Sequence, residues 1–133
     1  MLFLHTSEMV LSASPYTGEA KTQTRRVVKA WDTPTFDDDD AIVEVRHHGR
    51  LRYRVGSEYA VQPAYRHRGM GLIRLEGIRC EEAWRISAAD VRAEGFADVH
   101  QFAAVFVKMH GKKSLERSVW VLEFRLVSRV VPV

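Results

Sequence analysis

Around Ser87 the hydrophobic repeat changes period, and this change constrains the fold more than any other feature of the 133-residue chain. Upstream of it, Ile42–Val45, Leu51–Val55 and Tyr59–Gln62 alternate apolar and polar side chains and are rich in Val, Tyr and Arg, which is the two-residue repeat of a strand. The longer run Leu72–Ile86 alternates well enough for one long strand or two shorter ones. From Ser87 the repeat becomes helical. Ser87-Ala88-Ala89-Asp90 has the form of a capping box, the serine accepting a backbone N–H and Asp90 reaching back, with Gly95 as the stop. A second start at Asp98, with Gln101 three residues on, opens a run in which Val99, Phe102, Ala103, Phe106 and Met109 recur at helical spacing until Gly111. Trp120–Val127 then returns to alternation as a closing strand, with Val130 and Val131 as its extension.

The amino-terminal third is less regular. Leu2–Leu4 reads as a first strand, and Ser7 with Val10 and Leu11 as a short helix ended by Pro15 and Gly18. Gln23–Val28 begins an extended segment, and the Pro, Thr and Asp of Trp31–Asp40 read as an irregular surface loop with Asp37–Asp40 as its solvated tip. Without repeated strand-helix-strand alternation, a doubly wound sheet is disfavoured. Several short strands, two capped helices and a closing strand make an α+β domain on a small curved sheet or barrel, one domain over 1–133.

No apolar stretch is long enough to cross a bilayer, and the apolar start lacks a basic leader, so neither a membrane span nor a secretory signal is expected. A lone cysteine, Cys80, fits a reducing, cytoplasmic setting and reads as buried. His47 and His48 are adjacent and diverge on a strand, so no metal site and no cofactor are expected. The net charge of +3 favours a polyanion or a phosphate-bearing ligand. Its distribution says more: Arg25, Arg26 and Lys29 follow the threonines Thr22 and Thr24, Arg46, Arg50, Arg52 and Arg54 fill the middle, and Arg66 and Arg68 flank His67. Trp31, Trp84 and Trp120 are able to stack a base, but the alternation around Trp84 and Trp120 favours the core.

The stretch Lys21-Thr22-Gln23-Thr24-Arg25-Arg26 is neither a clean helix nor a clean strand. Residues three apart on a regular strand face opposite ways, so a task shared by Lys21 and Thr24 requires Lys21 to sit on the turn after Gly18. This stretch resembles the ASCH family, together with Val55-Gly56-Ser57-Glu58-Tyr59-Ala60-Val61-Gln62, Arg92-Ala93-Glu94-Gly95-Phe96 and Val119-Trp120-Val121-Leu122-Glu123-Phe124. The motifs occur in the family's order and the likeness runs from about Thr6 to Val127. It implies a PUA-like β-barrel of about five to six strands flanked by helices.

One branch of small ASCH proteins hydrolyses the acetyl group of N4-acetylcytidine with a Lys, a Thr three residues later and a Glu in the first helix beyond the barrel strands. Lys21, Thr24 and Glu94 match those positions. Amide hydrolysis needs a nucleophile, a proton carrier and a positive group for the oxyanion, and these three side chains can supply all of them. Either Lys21, its pKa lowered by burial or by Arg25 and Arg26, takes a proton from Thr24 or a water, or Lys21 stays charged and Glu94 is the base. Glu94 near a helix C-terminus suits a proton donor to the leaving amine. Arg25, Arg26, Tyr59, Gln62 and Tyr65 are the candidates for phosphate or base contacts. Two readings therefore stand side by side: a metal-independent amidohydrolase acting on N4-acetylcytidine or a related modified nucleoside, and an RNA-binding module with or without ribonuclease activity.

Overall fold

The computed structural model describes residues 1, 3, 7–63 and 69–129. Helix α1 (Ser7–Leu11) comes first, followed by strands β1 (Gln23–Val27), β2 (Asp32–Phe36), β3 (Ile42–His47), β4 (Arg50–Arg54), β5 (Glu58–Ala60) and β6 (Gly71–Glu82). After them come α2 (Ala88–Ala93), α3 (Val99–His110) and β7 (Ser118–Arg129). All seven strands belong to one antiparallel sheet with the path β1-β7-β6-β3-β2, from which β4 branches to pair with β3 and β5 to pair with β6. The expected α+β class holds. The sheet, however, is open: among the described residues, β1 pairs only with β7 and β2 only with β3, so the strands make a seven-stranded curved sheet in place of a closed barrel of five or six.

The extra strand comes from the segment read as a loop. Thr33 and Thr35 are β-branched and suit a pleated surface, while Pro34, opposite Val45, lacks an N–H and is accommodated because β2 lies at the end of the sheet. Curvature has a local cause as well. The pairing of β6 with β7 slips between Leu72 and Ile73 and again between Leu75 and Gly77. Such bulges bend a strand and increase its twist, and here they let one edge of β6 pair first with β5 and then, at Ile78, with β3.

β7 separates two apolar layers. Val119 and Val121 pack with Val91, Phe96, Phe102 and Phe106 of the helical side. Trp120 and Leu122 point the other way, to Val45, Tyr53, Leu75 and Ile78, and Phe124 joins Phe3, Val10, Leu11, Val61 and Ile73 under α1. Trp120 is thus core, as its alternation predicts. Trp84 is not: β6 stops at Glu82, the tryptophan falls in a 3₁₀ turn (Ala83–Arg85), and it is 53% exposed with its indole N–H donated to Glu82. Cys80 is exposed too, because it lies beyond Ile78, the last residue of β6 paired with β3.

A buried carboxylate joins distant parts of the sheet. Asp32 of β2, its side chain fully buried, accepts from Trp120 Nε1 on β7 at 2.8 Å and from the Lys29 amide at 2.9 Å, and it is also paired with Arg52 of β4. His47 Nδ1 lies 2.8 Å from its other oxygen. Burial alone raises the pKa of Asp32, but those hydrogen bonds and the Arg52 charge outweigh it and hold the carboxyl below its ordinary range. Among the described residues, no helix is long and apolar enough to cross a membrane. Leu2–Leu4 and the Val130–Val131 extension fall largely or wholly outside the described residues.

Candidate functional site

The chain around Lys21 is threaded between helices and sheet. Gly18 (φ 73°) makes the turn that only glycine adopts without strain, and Ala20 then bridges to Ala13. The Lys21 amide donates to Met9 O at 2.7 Å and the Thr22 amide to Ala93 O at 2.8 Å, while Thr22 O accepts from the Phe124 amide at 2.9 Å. Lys21 therefore lies past the turn after Gly18, in extended backbone. Alternation from there sends Lys21, Gln23 and Arg25 toward α2, where each has a partner on Asp90 or Glu94.

Lys21 Nζ donates to Glu94 Oε2 at 2.8 Å and to the Glu94 carbonyl at 3.2 Å. The two residues are 4% and 3% exposed. Glu94 is the C-cap of α2, which is where the negative end of a helix dipole makes a cation welcome. Burial pushes the Lys21 pKa below the ordinary lysine value, Glu94 opposes this through its charge and hydrogen bond, and Arg26 adds to the lowering. Arg25, expected to share in that repulsion, is instead held by Glu81 at 2.6 Å and Asp90 at 3.1 Å. Glu94 Oε1 is buried and has no hydrogen-bond partner; Arg25 Nε stands 3.9 Å away.

What puts α2 in position is Asp90. Ser87 caps the helix as the sequence suggests, its Oγ accepting from the Asp90 amide at 3.1 Å, but Asp90 does not reach back to complete the box. Its carboxylate accepts from Gln23 Nε2 at 3.1 Å, Arg25 at 3.1 Å and Arg79 at 2.6 Å. Charge-assisted bonds from guanidinium are stronger than one from a neutral backbone N–H, so the arginines win the carboxylate. Burial raises the pKa of Asp90, and the bonds from Arg79 and Gln23 with the charges of Arg79 and Arg25 more than offset it. α2 is thereby tied to β1 and β6, and its last turn carries Glu94 to Lys21. Asp90 and Arg79 were not singled out from the sequence for this role; an acidic residue three after a helix cap was the one available signal.

The remaining sequence candidates divide. Thr24 is buried, on the β1 face shared with Leu122, and the bonds of the Lys21–Glu94 pair do not include it. Arg25 is 5% exposed, one of its terminal nitrogens is held by Glu81 and Asp90, and its Nε and Nη1 are buried without a hydrogen-bond partner. Arg26 follows Thr24's alternate face and lays its guanidinium 5.1 Å from the Phe3 ring centroid. Tyr59 packs against two of the apolar clusters, and its hydroxyl accepts from the Arg54 amide at 2.8 Å. Gln62 exchanges backbone hydrogen bonds with Met1 and Phe3. Tyr65, like Arg66 and Arg68, lies outside the described residues. A cavity of about 420 Å³ opens beside α2 between Ile86, Val91 and Val99, and neither Lys21, Thr24 nor Glu94 lines it.

Comparison with known proteins adds the fold alone. No family model and no curated protein matches the chain. The crystal structure of protein EF3133 from Enterococcus faecalis V583, of family DUF984, is similar with a TM-score of 0.61 and 13% sequence identity, over 96% of this chain and 72% of that one.

Proposed function

We propose that this chain is an ASCH-type, PUA-like domain acting as a metal-independent amidohydrolase on an N4-acylated cytosine nucleoside, N4-acetylcytidine or a close relative. The observation that carries this reading is the contact between Lys21 and Glu94: two side chains 73 residues apart, both named from sequence, meet at 2.8 Å in a buried setting. A lysine pulled below its ordinary pKa by burial is suited to proton transfer near neutral pH. The unpartnered Glu94 Oε1 is an acceptor in want of a donor, which a water or the substrate's amide N–H supplies.

In this reading Lys21, in its neutral form, takes a proton from a water that attacks the acetyl carbonyl carbon. The tetrahedral intermediate collapses as the C–N bond breaks, the exocyclic nitrogen receives a proton through Glu94, and acetate and cytidine leave. We assign the nucleophile to water and not to Thr24, because a general base must stand within hydrogen-bond reach of the proton it removes, and Lys21 bonds to Glu94 and not to Thr24.

The test is acetate release from N4-acetylcytidine by the full chain, with Lys21→Ala, Thr24→Ala and Glu94→Ala alongside. Loss of about 10²- to 10⁴-fold in turnover is expected for Lys21→Ala and Glu94→Ala, the range of general acid–base catalysis. Intact-mass spectra should show no acetyl adduct during turnover. Absence of turnover by the natural sequence defeats the reading for this substrate, and an acetyl group on Thr24 defeats the choice of water.

A further inference from the structure

At the end of the sheet formed by β2, β3 and β4, two residues other than glycine adopt left-handed backbone side by side: Trp31 (φ 72°) and His48 (φ 51°). Such backbone is strained for a bulky side chain and persists where the surroundings hold it, often at functional positions. Here the result of both turns is one aromatic surface. The Trp31 and His48 rings stack with centroids 5.8 Å apart and planes 29° from parallel, and the His48 amide donates to the Trp31 carbonyl at 3.4 Å. His47 braces His48 edge-on at 4.5 Å, with its Nδ1 on buried Asp32. Trp31 is 73% exposed, the most open of the large apolar side chains among the described residues.

The charge around these rings is one-sided. Lys29, Arg46, Arg50 and Arg52 lie on the same turns and strand ends, against two acids that are already paired: Asp32, buried, with Arg52, and Glu44 with Arg46. Lys29 and Arg50 are exposed. The acidic run Asp37–Asp40 closes the β2–β3 hairpin at its opposite end, so the hairpin is basic and aromatic at one tip and acidic at the other. A ligand that offers flat rings and negative charge together fits the first tip and is repelled from the second.

We propose that the Trp31–His48 platform binds single-stranded RNA, an unpaired base lying on the open face of Trp31 and the flanking phosphates on Lys29 and Arg50. Stacking and charge are independent of the amidohydrolase reading; the choice of RNA over DNA rests on it, through the ribonucleoside it names. The platform is a docking surface and takes no part in the chemistry at Lys21 and Glu94.

The experiment is fluorescence anisotropy of a labelled single-stranded oligoadenylate with the full chain, at several salt concentrations. Trp31→Gly removes the ring while relieving the left-handed backbone, so the fold is retained, as a thermal melt verifies. Binding should weaken about tenfold or more in this variant, in line with loss of one base stack. Lys29→Gln with Arg50→Gln should flatten the plot of log affinity against log salt by about 0.7 for each cation removed. Inorganic polyphosphate should compete poorly. Unchanged affinity of Trp31→Gly, equal competition by polyphosphate, tighter binding of the matching DNA strand, or no binding at all overturns the proposal. Deacetylation of the free nucleoside by Trp31→Gly, measured in parallel, should be unchanged, which separates failure of the platform from failure of the enzyme reading.

Discussion

Replacing Lys21 with methionine shortens the side chain by one atom and removes its charge. The structure says what is left behind: a Glu94 carboxylate whose side chain is 4% exposed, with Arg25 Nε at 3.9 Å and the charge of Arg26 also acting on it. Breaking a buried ion pair by deleting one partner costs about 3–5 kcal/mol. Arg25 offsets part of that, which sets the expectation near 3 kcal/mol. For a chain of 133 residues this corresponds to a fall in Tm of roughly 10 °C. Glu94→Leu alone leaves the ammonium unpaired and should cost a similar amount. The double variant, Lys21→Met with Glu94→Leu, buries neither charge and should recover most of the loss, because apolar replacement of a whole buried pair is often neutral. Urea unfolding of the four proteins closes a double-mutant cycle with a coupling above about 2 kcal/mol. Losses that add to within about 0.5 kcal/mol would refute the view that the two groups act as a pair. The same cycle has a pH signature. Lys21 is lowered in the folded protein, so between its folded pKa and the unfolded value of about 10.4 the unfolded chain binds more protons. Stability should rise with pH across that window in the natural protein, and the rise should be missing from Lys21→Met.

Two other perturbations test the frame around the site. Asp32→Asn places an amide among the donors Trp120, Lys29 and Arg52 and should cost about 3 kcal/mol, read by urea unfolding. Because the folded pKa of Asp32 is lowered, its contribution is full above about pH 3.9 and lost as pH falls through the folded value, so acid unfolding should begin at a higher pH in Asp32→Asn than in the natural protein. At Gly71 a Cβ would meet Ser128 O at 2.7 Å and Leu11 Cδ2 at 2.8 Å. The first of these is backbone of β7 and cannot move aside, so Gly71→Ala should destabilise by about 2 kcal/mol, whereas Gly49→Ala, with nothing near its Cβ, costs only the strain of its positive φ.

The helices and the long strands were legible because each has a private signal: the caps at Ser87 and Asp98, the helical repeat from Val99 to Met109, the alternation of β6 and β7. β2 was not, since Pro34 and the polar threonines mimic a loop and only its place beside β3 makes a strand of them. The Lys21–Glu94 pair was named from a resemblance, and nothing local to either residue marks it. The orientation of Arg25 was misread for a physical reason: the sequence shows arginines near Lys21 but not that Glu81 and Asp90, each far along the chain, close on one of them. Likewise a tryptophan at position 84 alternates correctly and still falls outside the core, because the strand ends two residues earlier.

β7 is the last described strand in chain order, yet it is the seam of the molecule: among the described residues β1 pairs with nothing else, β6 runs along it for most of its length, and its two faces complete separate apolar layers. During synthesis, then, neither layer can be completed until Val119–Leu122 have left the ribosome, and until then Phe102, Phe106, Leu75 and Ile78 lack their partners on β7. A holding chaperone, or speed in the final step, is what such a layout asks of its cell.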